Sequence, residues 1–373
     1  MLSIEYPPVG GGASPVTRGL ARALVGSGHH VQVVTMGYGS LPREEVDGGG
    51  VCVARIPCLR ARLERSKLHE LAAYTLGAIW QVRSLVARQA FDVCHAHFVL
   101  PTGCIPYVVR GQRGFPPYIV TAHGTDVPGH NPHRFTTLHR ITPVLIRPIL
   151  RCAGAVVVPS AAMEHLVRER FGGLLPALRR IPNAVDADRF IECPKEAIVL
   201  VASRLNTGKG VHHVVQALAQ SPEHGFRLEI AGDGPQRAGL ERLARDRRVP
   251  ARFHGWLARD PLDRLFAKSR IFVLASSAEN FPVSLLEAMA ARCAVVATRV
   301  GGIPEVLGDA GILVEPDDPG ALANVLRTLM HDSQLTDDLG RRAEARVRAH
   351  FGWQSVVRQH EALYRAVIRG CVA

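Results

Sequence analysis

Lysine is scarce in this 373-residue chain: it stands only at positions 67, 195, 209 and 268, whereas arginine occurs 41 times. No apolar run reaches the roughly 18 residues that a membrane span needs. The nearest approach, from Pro143 to Pro159, is interrupted by Arg147 and Arg151. The first residues, Met1-Leu2-Ser3-Ile4-Glu5-Tyr6, have neither the basic head nor the apolar stretch of a secretory leader. The expectation is a cytoplasmic protein, at most peripheral on the inner face of the membrane. The eight cysteines form no C-x-x-C pair and have no histidine at metal spacing. They read as small buried hydrophobes in a reducing compartment, and no metal is expected. There is no low-complexity stretch and no repeat of 20 to 50 residues, which sets solenoids and propellers aside.

What is present suits a globular protein. Apolar residues make up 47% and charged residues 21%, in a chain long enough for two cores. The net charge is +12, unevenly spread: 21 basic against 12 acidic residues up to position 190, then 24 against 21. A basic first half suits an anionic partner: nucleic acid, an acidic polymer or a membrane with acidic head groups. A general abundance of arginine accounts for it equally. No nucleic-acid module accompanies the charge, so nucleic acid is disfavoured. The cluster Arg55, Arg60, Arg62, Arg65 and Lys67 reads either as a membrane-facing patch or as a solvated basic face.

Short runs apolar on both faces alternate with helical stretches. Strands are expected at 31–35, 91–95, 118–122 and 155–158, with helices at 16–26 and 68–88. The pattern restarts with strands at 198–201, 227–231, 271–274 and 294–297 and a helix at 211–219. Such alternation implies parallel sheets covered on both sides, hence two doubly wound α/β domains. The expected domains are 1–188 and 189–355, with a final amphipathic helix, 356–373, packing back toward the first. The segment before Gly10 is short, so the opening strand is expected to be short too.

Ligands of open parallel sheets bind beyond the carboxyl ends of the strands. After the strand 271–274 comes Ser277-Ala278-Glu279-Asn280-Phe281-Pro282-Val283-Ser284-Leu285-Leu286-Glu287. Pro282 suits a first helical turn, which leaves Glu279 in a loop and Glu287 inside the helix. Glu287 stands among apolar neighbours, and burying it alone would cost several kcal/mol, roughly. A ribose diol or a structural salt bridge would satisfy it. After the strand 198–201 comes Ser203-Arg204-Leu205-Asn206-Thr207-Gly208-Lys209-Gly210. Two cations at a strand end suit a diphosphate, or simply form surface charge. The segment is not a G-x-x-x-x-G-K-[ST] loop.

Gly10-Gly11-Gly12 precedes the first helix; it is either a close approach to a ligand or a plain turn, and it fails the G-x-G-x-x-G pattern of nicotinamide enzymes. Thr121-Ala122-His123-Gly124-Thr125-Asp126 places a histidine at a strand terminus, where it could touch a sugar hydroxyl. His95 and His97 follow the preceding strand and read as packing or supporting residues, with His97 and Asp126 as acceptor-side candidates. Phe253-His254-Gly255-Trp256-Leu257 ends another strand, where a flat nucleobase could lie.

Together these segments resemble glycosyltransferase family 4, whose members have the GT-B fold. The likeness runs from the glycine loop through His123-Gly124-Thr125-Asp126, Ile181-Pro182-Asn183, Arg204 with Lys209, Gly232 to Pro235, Glu279 with Glu287, Gly301-Gly302 and Phe351-Gly352-Trp353. It implies two facing Rossmann-like domains with an interdomain cleft. It implies that Arg204 and Lys209 hold the donor diphosphate and stabilise it as it leaves, and that Glu287 binds ribose. Glu279 would touch the transferred sugar beside backbone groups of Asn280, Phe281 and Val283. Gly11 and Gly12 would close over the donor, His123 would stand by the anomeric carbon, and the base would rest near Gly255, Trp256 and Leu257. Transfer would retain configuration without a metal or other cofactor, through a same-face displacement needing no carboxylate nucleophile. Two positions depart from the family: Ala184 where glycine is frequent, and Ala13-Ser14-Pro15 where many relatives carry an acid.

The expected function is transfer of a hexose-type sugar from a UDP- or GDP-sugar to a glycan or lipid-linked acceptor, in cell-envelope or exopolysaccharide synthesis. The alternatives are a nucleotide-sugar epimerase of the same fold, which needs a base near the sugar C2, and a non-catalytic nucleotide-sugar-binding protein. The latter would be expected to lack Lys209 or Glu287.

Overall fold

A computed structural model of the chain describes residues 1–63, 66–130, 138–220 and 225–371. Contacts divide it into two compact units, 1–184 with 353–373, and 185–352. The expected borders lie a few residues later, at 188 and 355.

The first unit carries β1 (Gln32–Met36), β2 (Glu44–Val46), β3 (Cys52–Ile56), β4 (Cys94–His97), β5 (Tyr118–Thr121), β6 (Ala155–Val158) and β7 (Leu178–Arg180). Its helices are α1 (Ala13–Gly26), α2 (Leu68–Arg88), α3 (Cys104–Val109), α4 (Leu138–Cys152) and α5 (Ala161–Phe171). The strands run in the orders β1-β3-β2 and β4-β5-β6-β7. All pairs are parallel except β2 with β3. Leu2 bridges to both Val34 and Ala96 and so joins the two halves. Successive residues of a strand point to opposite faces. Val34, Val120 and Val156 therefore enter one core with Tyr74, Ile105 and Ile149, while Val33, Ile119 and Val157 enter the other with Leu20, Leu363 and Val367.

The second unit carries β8 (Glu196–Ala202), β9 (Arg227–Ala231), β10 (Ala251–Gly255), β11 (Ser269–Leu274), β12 (Ala294–Thr298) and β13 (Ile312–Val314). Its helices are α6 (Val211–Leu218), α7 (Arg237–Asp246), α8 (Arg259–Lys268), α9 (Val283–Ala290), α10 (Ile303–Leu307), α11 (Pro319–His331) and α12 (Ser333–His350). The last helix, α13 (Trp353–Ile368), belongs to the first unit. The sheet is parallel throughout, in the order β10-β9-β8-β11-β12-β13. This is the doubly wound order of a dinucleotide-binding fold, whose strand order reverses between β8 and β11. Val199 and Leu200 again enter different cores, as do Phe272 and Val273.

Several local expectations shift. β4 begins at Cys94, where pairing with β5 begins, so His95 and His97 lie inside the strand rather than after it. α1 starts at Ala13, because Pro15 is tolerated in a first turn. Pro282 is the cap of α9, not a residue of its first turn. β3 escapes an apolar reading because Arg55 lies within it. That side chain is buried and bound to Glu45 of β2 at 2.7 Å and to the Pro7 carbonyl at 3.2 Å. Arg60 is buried too and donates to the carbonyls of Arg62 and Leu63, both at 2.8 Å. Two members of the basic cluster are therefore structural; Arg62 and Lys67 are exposed, and Arg65 lies outside the described residues. The cysteines are all free, but Cys152 and Cys371 are exposed rather than buried.

Candidate functional site

The second unit gathers charged side chains where its strand order reverses. Arg204 and Lys209 follow β8, Glu279 follows β11, and Glu287 stands in α9. Because β8 and β11 are neighbours, their loops meet: the Ser277 amide donates to the Gly208 carbonyl at 2.9 Å. Gly210 makes this possible. It has φ +62°, and a Cβ there would lie 1.9 Å from the Ala275 carbonyl oxygen.

The sequence treats Lys209 and Glu279 as separate ligand contacts. In the structure Lys209 Nζ is bonded to Glu279 Oε1, which also accepts from Ser276 Oγ at 2.8 Å. Arg204 differs: its half-buried guanidinium has no hydrogen bond or ion pair among the described residues. A cation held at a strand end without a partner among the described residues is suited to an anion.

Glu287 is 4% exposed, and protein groups already meet it. Arg189 Nη2 approaches its Oε1 at 2.9 Å and Arg259 Nη1 at 2.8 Å. Asp263 completes the cluster by pairing with both arginines. The salt-bridge reading is thus realised. Both bonds fall on Oε1, and Oε2 accepts none among the described residues, which leaves one oxygen for a hydroxyl. Of these partners only Arg259 with Asp263, four apart on α8, stands at a spacing readable in sequence.

Around this group, Asn280 and Phe281 are buried. The Phe281 ring packs edge-on against Phe351 with centroids 5.6 Å apart, so Phe281 can offer a ligand only its backbone. Val283 opens α9. Gly255 ends β10 at φ +69°, and its carbonyl accepts from the Gly232 amide at 2.8 Å. Trp256 is 48% exposed beside half-buried Leu257. His254 is taken up by the buried carboxylate of Glu229.

In the first unit, Gly12 caps α1, and a Cβ there would meet nothing within 4 Å. At Gly11 it would meet only the Glu5 carboxylate, at 3.8 Å. The protein's own packing does not demand glycine at either position. His123 follows β5, half-buried, with its Nε2 3.0 Å from His97 Nδ1. Phe98 packs on the His123 ring with centroids 4.8 Å apart and holds φ +79°, a strained value for a bulky residue. Burial lowers the pKa of His123 to about 4, so the ring is neutral near pH 7.

The two acceptor-side candidates are both buried. His97 is 1% exposed and stands behind His123. Asp126 accepts from the amides of Val99 at 2.6 Å and Gly124 at 2.8 Å, which ties down the His123 loop. Burial raises its pKa to about 6 despite these amides. Neither side chain offers a surface to an acceptor.

Comparison with known proteins agrees in both units. Residues 10–189 match glycosyltransferase family 4, and residues 186–346 match glycosyl transferases group 1. The glycogen synthase of Mycobacterium tuberculosis is 30% identical over 99% of this chain and 95% of its own. The N-acetyl-alpha-D-glucosaminyl L-malate synthase of Bacillus anthracis is 27% identical over 98% and 96%. Among solved structures, sucrose-phosphate synthase from Thermosynechococcus elongatus superposes with a TM-score of 0.83 at 24% identity, covering 99% of this chain and 98% of that one. Anabaena Alr3699/HepE in complex with UDP-glucose gives 0.76 at 20% identity, covering 98% and 99%.

Proposed function

The chain belongs to glycosyltransferase family 4, with the GT-B fold and glycosyl transfer as its activity, and from that premise we propose that it moves a hexose-type sugar from a nucleoside diphosphate donor with retention of configuration. The acceptor is a glycan or a lipid-linked glycan, in cell-envelope or exopolysaccharide synthesis. The observation that carries the donor assignment is the set where the strand order reverses: Arg204 without an ion pair among the described residues, Lys209 bonded to Glu279, and Glu287 whose Oε2 accepts no hydrogen bond among the described residues.

In this reading Arg204 and Lys209 take the diphosphate, and the anion draws Lys209 from Glu279. Glu279 is then released toward the sugar hydroxyls, and Glu287 Oε2 accepts from the ribose. Charge building on the leaving diphosphate is met by fixed cations, which is worth most in a partly buried site. His123 takes the part that the resemblance gives it, beside the anomeric carbon, and a donor phosphate oxygen takes the acceptor proton. The solved relative holding UDP-glucose supports a uridine donor.

For a lipid-linked acceptor, the support lies on α2. Its exposed side includes Leu68, Leu76 and Trp80 with Arg83 and Arg88, and Arg62 and Lys67 are exposed just before it. Its single acid, Glu70, is buried. An apolar stripe flanked by cations suits an anionic bilayer surface. No helix among the described residues is long and apolar enough to cross the membrane.

Thermal shift with UDP-, GDP- and ADP-sugars tests the donor. A donor at 100 times its Kd adds about 2.7 kcal/mol to the folded state. NMR of the first product formed reads the anomeric configuration. No shift with any nucleotide sugar, or an inverted product, would overturn the corresponding part.

A further inference from the structure

We infer that Ser276 positions Glu279: its hydroxyl holds Oε1 of the carboxylate and so presents Oε2 to the hydroxyls of the transferred sugar. The strand end brings the two together. β11 stops at Leu274, and the turn that follows carries both residues. Ser276 is fully buried, and its Oγ donates to Glu279 Oε1 at 2.8 Å. An ionised carboxylate only accepts, so the single hydroxyl proton is committed to that oxygen.

The two oxygens of Glu279 are used differently. Oε1 accepts from Ser276 and from Lys209 Nζ, which takes up its lone-pair directions. Oε2 accepts no hydrogen bond among the described residues. The side chain is only 12% exposed, so an acceptor left open there gains from meeting a donor on a ligand. One fixed oxygen with both lone pairs open suits neighbouring hydroxyls, the pattern that a hexose ring offers.

Ser276 and Lys209 differ in permanence. In the proposed donor complex the diphosphate draws Lys209 away. Ser276 is then the side chain that still bonds the carboxylate among the described residues. Without it Glu279 would turn about its side-chain bonds, and binding the sugar would cost the entropy of fixing it. Held by Ser276, the acceptor is set before the sugar arrives.

The turn does not need this hydroxyl for itself. Its backbone is fastened elsewhere. Thr298 Oγ1, at the end of β12, donates to the Ser276 carbonyl, and the Ser277 amide donates to the Gly208 carbonyl at 2.9 Å. A serine that serves a turn bonds a nearby backbone group. Ser277 does so, with its Oγ 3.3 Å from the Gly208 carbonyl, whereas Ser276 bonds a side chain.

Ser276 has this role only where Glu279 contacts the sugar, as proposed above, and the test keeps the two apart. The full-length wild type, Ser276→Ala and Ser276→Thr are titrated calorimetrically with UDP-glucose, UDP-N-acetylglucosamine and GDP-mannose, each beside its own nucleoside diphosphate. For the sugar nucleotide that the wild type binds, S276A should weaken binding about tenfold, the order of one lost hydrogen bond to a charged group. Its Kd for the bare diphosphate should stay within about twofold. S276T keeps the hydroxyl and should recover most of the loss. In a Glu279→Ala background, S276A should add less than about twofold, because Ser276 acts through that carboxylate. A purely structural serine would weaken both ligands alike. That result, or unchanged sugar-nucleotide binding in S276A, would overturn the inference and leave the donor site standing. An S276A that does not fold would overturn it too, since the hydroxyl would then serve the core. If E279A binds sugar nucleotides as the wild type does, the assignment of Glu279 to the sugar falls, and the role of Ser276 with it. If the wild type binds none of the nucleotides, the donor site itself falls.

Discussion

Gly301 lies against the backbone carbonyl of Glu279 so closely that a Cβ would fall 1.6 Å from the oxygen. Its φ of +53° independently favours glycine. The loop after β12 thus seats the loop after β11, and the position of Glu279 depends on a residue 22 places further on. Gly301→Ala should force this contact apart. We expect a loss of stability of roughly 1–3 kcal/mol and a weaker donor response. Denaturant unfolding with and without nucleotide sugar checks both, and unchanged donor binding in the folded variant would show that the seat does not matter.

Lys209→Ala should lower turnover about a hundredfold or more, the order lost when a group that meets developing charge is removed. Donor affinity should change less, because Arg204 remains. Steady-state kinetics with a saturating donor separates the two, and near-normal kcat would take Lys209 out of the leaving-group role.

Glu287→Gln should keep the shape of the side chain but lose the charge held by Arg189 and Arg259. Donor KM should rise about tenfold, equal to about 1.4 kcal/mol, with kcat nearly kept. Arg259→Gln should act in the same direction through a looser Glu287. Isothermal titration with the donor's nucleoside diphosphate reads both; a ribose contact is ruled out if E287Q binds like the wild type.

Acid should destabilise the first unit. In the folded state burial holds His123 at about 4 and His360 at about 3, with His95 and His97 also well below the ordinary 6.5. Between about pH 6.5 and 4 the unfolded chain therefore binds protons that the folded chain refuses, and stability falls as pH falls. Asp126 opposes this: its raised pKa of about 6 makes the folded state bind a proton first, so its contribution grows as pH drops through 6. Four histidines outweigh one aspartate, so Tm should fall steadily below pH 6.5. A flatter profile is expected for His360→Gln; a wild-type Tm that is level from pH 7 to 4.5 would contradict the account.

The α2 face should bind anionic vesicles at low salt and release them as salt rises. Trp80→Ala with Leu76→Ser should reduce flotation with phosphatidylglycerol vesicles by severalfold while leaving donor binding intact. Absence of wild-type flotation at low salt would remove the membrane from the proposal.

The two parallel sheets, and the strand ends where Arg204, Lys209, Glu279 and Glu287 gather, were readable in the chain itself. Period and polarity are local: they mark which segments must be covered on both faces, and a doubly wound sheet then dictates which end carries ligands. Pairing is not local. That Arg189, 98 positions from Glu287, shares Oε1 with Arg259 depends on where the segment before β8 passes α9. That Arg55 is buried, and that His97 meets His123 rather than an acceptor, follows from strand register and from the chain folding α13 back onto the first sheet. Register and return paths are decided by the packing of whole elements, so only the tertiary structure could assign these side chains their partners.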